Sequence, residues 1–167
     1  ETNFHFKNSF PIFQQNGLDL GSRLLNAFEI QFKTYGQIVV IGTDSPDLPS
    51  EQIQEAFLSL QNHDAVIGPT DDGGYYLLGL SEMIPAVFEN IPWSTNEVFQ
   101  KSLDQLRGYN IHILKKHYDV DLIEDLLRLK KNLEQNKSIA PQTQKWFEEN
   151  KDVFMHLPGG KQQNVLE

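Results

Sequence analysis

Acids at the ends of apolar runs are the residues of this sequence whose types and spacing could do chemistry. Val39-Val40-Ile41-Gly42-Thr43-Asp44-Ser45-Pro46-Asp47-Leu48-Pro49 is an apolar run that stops at a carboxylate inside a proline-bounded loop. Ligands of open α/β sheets sit beyond the carboxyl ends of the strands, so Asp44 stands where a metal or a phosphorylated molecule is met. Asp44 is a candidate metal ligand and catalytic residue, with Thr43 and Ser45 beside it as candidate binding residues. Capping a helix that begins near Ser50, or holding the turn, is the competing role for these acids, and it suits Asp47 better than Asp44.

Asp119-Val120-Asp121 places two acids on one side of an extended segment, with Val120 turned to the core. In the competing role Asp121 caps the next helix and Asp119 is solvated. Hard divalent cations take oxygen ligands and keep waters and substrate phosphates, so Asp44 with Asp119 and Asp121 forms a candidate set for Mg²⁺ or Mn²⁺. Asp71-Asp72-Gly73-Gly74-Tyr75 joins acids to glycines that let backbone approach a ligand closely. Between two apolar runs the same residues are an ordinary hairpin or bulge signal, which the local sequence favours. The loop Gln15-Asn16-Gly17-Leu18-Asp19-Leu20-Gly21-Ser22-Arg23 leads into a helical pattern and is a candidate anion site with Arg23 one turn in. Arg23 also fits a plain surface cation. Trp93-Ser94-Thr95 offers an aromatic wall, although a single Trp is more often packing.

The elements that must hold these groups follow from periodicity. Leu20, Leu24, Ala27, Phe28 and Phe32 recur at helical spacing, and Tyr35-Gly36 ends the pattern before the strand Ile38 to Ile41. Ser50 is the expected cap of a second helix carried by Ile53, Ala56, Phe57 and Leu60. Strands are expected over Asp64 to Pro69, Tyr75 to Leu80 and Ile111 to Leu114. Ser94 with Glu97 fits a capping box ahead of Val98, Phe99, Leu103 and Leu106. Asp121 with Glu124 resembles the start of a helix through Leu133, and Pro141 precedes a last helical segment around Trp146. Alternating strands and helices predict an α/β fold: a mostly parallel sheet with helices on both faces.

Composition sets the limits. The 167 residues are 39% hydrophobic and 22% charged, enough for one globular domain with a sizeable core. Residues 1–158 are read as that domain, and 159–167 as a flexible tail whose closing Leu166-Glu167 matches a vector-derived end. With no cysteine, thiolate metal sites and cysteine nucleophiles are excluded in this chain. A net charge of −9 argues against a broad nucleic-acid surface. Apolar runs are far shorter than the roughly 20 residues of a membrane span, and no secretory leader opens the sequence, so a cytoplasmic location is expected.

In this order, Gln15-x-Gly17-x-Asp19-Leu20-Gly21-x-Arg23, Gly42-Thr43-Asp44-Ser45-Pro46-Asp47-Leu48-Pro49, Gly68-Pro69-x-x-Asp72-Gly73-Gly74-Tyr75-Tyr76, Trp93-Ser94-Thr95 and Asp119-Val120-Asp121 resemble a bacterial family of uncharacterised glycosyltransferase-like proteins. These are the radical-SAM/selenodomain-associated transferases, domain of unknown function 2064. They share the glycosyltransferase A fold with the guanylyltransferases of molybdenum cofactor and of phospholactate. The resemblance implies a nucleotide-diphospho-sugar transferase type of domain in which Asp44, Asp119 and Asp121 bind Mg²⁺ or Mn²⁺. It implies that Arg23 and the Gly73-Gly74 backbone position donor or acceptor, with Asp72 as the base. Gln15, Gly17, Asp19, Tyr75 and Trp93 join the binding set on the same ground. The family's first strand and its basic Gly-x-x-Lys-Thr-Arg loop, which cradles the nucleotide, have no counterpart here, so the domain is expected to be N-terminally incomplete. Loss of that strand would expose a sheet edge and favour pairing with another chain, a homodimer among the options.

Two functions compete. One is a metal-dependent nucleotidyl- or glycosyltransferase acting on a nucleotide or nucleotide-sugar. The other is a catalytically inactive binding or assembly module of the same fold. A phosphatase of the haloacid dehalogenase type needs Asp-x-Asp after the strand, and Asp44-Ser45-Pro46-Asp47 has the wrong spacing.

Overall fold

The structure, a computed structural model, describes residues 11–155. Helix α1 (Leu20–Gln31) begins where the Asp19 carboxylate accepts the Ser22 N–H at 2.7 Å, and its Leu24 and Phe28 turn inward at helical spacing. Strand β1 (Ile38–Ile41) leads through the Asp44 loop to α2 (Ser50–Ser59), whose Ala56 is fully buried. Strands β2 (Ala65–Pro69) and β3 (Tyr75–Leu80) follow, then a 3₁₀ turn at Pro85–Phe88 and α3 (Val98–Gln105). The chain closes with β4 (Ile111–Ile113), α4 (Ile123–Gln135), α5 (Pro141–Glu149) and α6 (Lys151–Met155).

The sheet order is β1-β3-β2-β4, and the sheet is mixed rather than mostly parallel. β3 runs antiparallel to both β1 and β2, and only β2 and β4 are parallel. The cause is the short link between Pro69 and Tyr75. A parallel crossover needs about a dozen residues or more, so the Asp71-Asp72-Gly73-Gly74 turn can close only a hairpin. The β3 strand then inserts between β1 and β2.

A register shift at Gly68/Pro69 pairs Gly68 with Leu77 and Pro69 with Tyr75, leaving Tyr76 as the extra residue of a bulge. Tyr76 and Leu77 consequently share a face. A Cβ on Gly68 would lie 2.3 Å from the Tyr76 ring, so glycine is required beneath it.

Helices do cover both faces. Leu24 and Phe28 of α1 pack with Ile67, Leu78 and Leu80 on one side, joined by Phe99 and Leu103 of α3. Ala56 and Leu60 pack with Val66, Tyr76, Leu77 and Leu114 on the other. A third cluster, Leu129, Leu133, Phe147 and Phe154, holds α4, α5 and α6 together and takes in Val120.

Among the described residues β1 is an edge strand, not a buried one: Ile38 is buried but Ile41 is 43% exposed. The Gly42 N–H donates to the Tyr76 carbonyl at 2.9 Å, which makes even-numbered positions the hydrogen-bonded ones. Val39 and Ile41 therefore turn their backbone groups to the outer edge, where no strand pairs with them among the described residues.

Several caps differ from expectation. Ser50 is the first helical residue of α2 and Pro49 its cap. Ser94 has φ of +63° and makes no capping box; Glu97 is the cap residue of α3, and its N–H donates to Thr95 Oγ1 at 3.3 Å. At α4 the cap residue is Leu122, whose N–H donates to Asp125 at 3.0 Å, which leaves Asp121 outside the helix. The expected tail, residues 159–167, lies outside the described residues.

Candidate functional site

Three loops meet at the carboxyl end of β1. The first carries Asp44, the second is the hairpin turn with Asp72, and the third, between β4 and α4, carries Asp119 and Asp121. Backbone hydrogen bonds fix their approach. Val120 N–H donates to the Asp44 carbonyl at 2.9 Å, and His117 N–H donates to the Pro69 carbonyl at 3.0 Å.

Carboxylate oxygens of Asp72, Asp119 and Asp121 all lie within 4.8 Å of one another. The expected set was Asp44, Asp119 and Asp121. Asp44 is instead the fourth acid, near enough for its charge to act on Asp119, while Asp72 joins the convergent group. Partial burial and the charges of Asp72, Asp121 and Asp44 together raise the Asp119 pKa above the ordinary carboxylate value. Asp72 is oriented by its own turn: Thr70 Oγ1 donates to its Oδ1 at 2.5 Å and Gly74 N–H at 2.9 Å. The other oxygen, Oδ2, makes no hydrogen bond among the described residues. Three hard oxygen donors converging in this way, with the Asp44 charge nearby, suit Mg²⁺ or Mn²⁺ and no soft metal.

Beside the acids is a cavity of about 370 Å³ lined by Gln15, Leu20, Val40, Asp44, Tyr75 and Asp119, with Thr43 also on its wall. Tyr75 offers its ring; among the described residues its buried hydroxyl makes no hydrogen bond of good geometry, and burial raises its pKa against the smaller, opposing effect of the Ser102 hydroxyl. A Cβ on Gly42 would fall 2.5 Å from Asp44 Oδ1, so glycine is what lets that carboxylate lie across the strand end.

Other expected binding residues have structural duties. Asp19 caps the N-terminus of α1 with its own carboxylate, accepting the Ser22 N–H at 2.7 Å and the Ser22 hydroxyl at 2.7 Å. The bond to the Ser22 backbone holds the Asp19 pKa low. Arg23 Nε donates to the Gly17 carbonyl at 3.2 Å and pins the Gln15–Asp19 loop. Gly73 has φ of +95°, and a Cβ there would meet the Asn96 carbonyl oxygen at 2.2 Å, so glycine is required where this turn approaches Asn96. The Gly74 N–H is taken by Asp72. Trp93 packs on Gly21 and, edge-on at 6.4 Å, on Tyr75. Ser45 Oγ donates to the Tyr118 carbonyl at 3.0 Å.

Asp47 is the residue whose role the sequence conceals. It is 7% exposed and caps no helix. One oxygen bonds His117 Nε2 at 3.2 Å; the other accepts Tyr118 Oη at 2.6 Å and Asn132 Nδ2 at 3.2 Å. Burial alone would raise its pKa, but the bonds from His117, Tyr118 and Asn132 outweigh burial and lower it. Arg128 lies 3.8 Å over the Tyr118 ring and pairs with Asp71 at 3.0 Å, where Lys116 also reaches at 3.3 Å. The only signal in the sequence was an acid fixed between Pro46 and Leu48.

An α/β fold with a small mixed sheet and acids gathered at a strand end is the setting in which the comparisons fall. The chain belongs to the bacterial family DUF2064, described as "Uncharacterized protein conserved in bacteria", whose model matches residues 1–95. A crystal structure of a "putative nucleotide-diphospho-sugar transferase" from Desulfovibrio desulfuricans G20 is similar at 38% identity with a TM-score of 0.70, covering 73% of this chain. This chain spans 55% of the length of that relative. No curated protein matches the chain. Among the described residues no helix is long and apolar enough to cross a membrane.

Proposed function

We propose that this chain is the metal-binding part of a transferase that acts on a nucleotide or nucleotide-sugar donor, a glycosyl- or nucleotidyltransferase. The convergence of Asp72, Asp119 and Asp121 beside Asp44 carries the proposal. Its setting at the carboxyl end of a strand, next to a cavity, and the likeness to a protein named for nucleotide-diphospho-sugar transfer both favour it. Asp119 would hold Mg²⁺ or Mn²⁺ together with Asp72 and Asp121, and Asp44 would complete the negative field. Such an ion, when bound, supplies charge neutralisation for a donor's phosphates and for the departing diphosphate. Asp44, Gln15 and Thr43 line the space in which the donor would sit, and the Tyr75 ring gives it an apolar wall. Asp72 serves the acidic cluster in this reading, so the earlier role of base is not assigned to it. Calorimetric titration of Mn²⁺ into the native chain and into Asp119→Asn tests the proposal: saturable binding lost in the variant is expected, and no binding by the native chain would refute it.

A second reading, an inactive binding or assembly module, is favoured by the outer edge of β1, which no strand covers among the described residues. Its four residues are all apolar and carry none of the charges or prolines that usually blunt an edge. A second copy pairing along this edge is the homodimer that reading calls for. Concentration-dependent association in sedimentation velocity, abolished by Ile41→Lys, is its expected sign; a monomer at all concentrations would exclude the dimer.

A further inference from the structure

Asp47 is a buried carboxylate with both oxygens occupied, so it can bind neither metal nor substrate without breaking its own bonds. Its partners are nevertheless arranged around the acidic site. Tyr118 directly precedes Asp119, His117 precedes Tyr118, and Asn132 comes from α4, the helix that follows Asp121. Asn132 Nδ2 also lies 3.1 Å from Tyr118 Oη, closing a triangle with the carboxylate. From the opposite side Ser45, two residues from Asp47, holds the Tyr118 carbonyl, and the neighbouring Asp44 carbonyl holds the Val120 N–H. The backbone on each side of Asp119 is thus tied to the Asp44–Asp47 loop, and Asp47 supplies the side-chain part of that tie.

We propose that Asp47 is the positioning residue of the acidic site: through Tyr118, His117 and Asn132 it sets Asp119 and Asp121 at the distance from Asp72 that a divalent cation requires. This rests on the metal-binding reading above and adds to it a residue that touches no ligand. Partners one step removed from a metal govern affinity by orienting the ligands, and losing one costs about 10- to 100-fold.

Mn²⁺ affinity and the electron paramagnetic resonance spectrum of bound Mn²⁺ test the proposal in the native chain, Asp47→Asn, Asp47→Ala and Tyr118→Phe. Metal-free thermal melting is recorded for each. Tyr118→Phe keeps the ring under Arg128 and deletes only the hydroxyl, so it stays informative if Asp47→Ala fails to fold. The expected result is affinity about tenfold weaker in Tyr118→Phe with an altered spectrum at a temperature where the variant is folded, and Asp47→Asn, which keeps one carbonyl acceptor, intermediate between native and Asp47→Ala. Native affinity and spectrum in Tyr118→Phe and Asp47→Asn would overturn the positioning role and leave the metal site standing. Loss confined to variants that are unfolded in the assay would overturn it too. A native chain that binds no Mn²⁺ would bring down the metal site and the positioning role together.

Discussion

The amide of Val120 donates to the carbonyl of Asp44 at 2.9 Å, which ties the loop after β1 to the loop before α4 beside the acids that both carry. Asp119 is therefore held among like charges and cannot relax away from them. Replacing it with asparagine keeps its shape and removes the repulsion. Asp119→Asn is expected to raise the metal-free melting temperature by about 1–3 °C while weakening Mn²⁺ binding at least about tenfold, close to 1.4 kcal/mol. Melting scans and metal titrations on one preparation check both halves, and a fall in both would contradict the repulsion.

Acidity follows from the same residue. The Asp119 pKa is raised by burial first and then by Asp72, Asp121 and Asp44. A raised carboxylate pKa means that the folded state binds protons before the unfolded state does. The destabilisation by ionised Asp119 is therefore present above its folded pKa and disappears as the pH falls toward the ordinary value of 3.8. Protons compete with metal in that window, so Mn²⁺ affinity should decline at a higher pH than a free carboxylate would dictate. The difference between native chain and Asp119→Asn, titrated in steps of pH, isolates the effect; parallel curves would rule it out.

Asp47 behaves in the opposite sense. Its pKa is lowered because the bonds from His117, Tyr118 and Asn132 exceed the cost of burial. Its contribution is fully present above the ordinary 3.8 and is lost as the pH falls through the lower folded value. Asp47→Ala orphans several buried donors at once and should cost roughly 2–4 kcal/mol at neutral pH. Urea unfolding measures this, and a loss below about 1 kcal/mol would show that the donors find water instead.

Two glycines separate backbone strain from composition. Gly73 has φ of +95° and faces the Asn96 carbonyl oxygen 2.2 Å from where a Cβ would sit, whereas a Cβ on Gly36 meets nothing within 4 Å. Gly73→Ala should destabilise by about 1–3 kcal/mol. Gly36→Ala should stay within about 0.5 kcal/mol of native. Equal effects at the two positions, by denaturant unfolding, would contradict the turn geometry.

Most elements were legible because their apolar spacing is regular: Leu24 and Phe28 on α1, Ala56 on α2 and the run Ala65 to Pro69 sit where period and length place them. Strand direction differs from the expected parallel order because apolar runs carry no sign, although the short turn at Asp71-Asp72-Gly73-Gly74 requires a hairpin. Asp119 and Asp121 converge as strand alternation implies, with Val120 turned to the third apolar cluster. Asp72 joining them was not legible, since it depends on the bulge and the turn that bring β3 back beside β2. The role of Asp47 was hidden for a similar reason: its partners lie 70 or more positions away in the chain.

Metal-dependent nucleotide binding tests the central claim most directly. The measurement is thermal shift with a panel of nucleoside triphosphates and nucleotide-sugars, with and without Mn²⁺, on the native chain and on Asp119→Asn. A ligand at a hundredfold over its dissociation constant adds about 2.7 kcal/mol to the folded state. A shift that needs Mn²⁺ and vanishes in Asp119→Asn is the predicted result. A nucleotide shift of equal size without Mn²⁺, or one that survives in Asp119→Asn, would contradict a metal site at these acids.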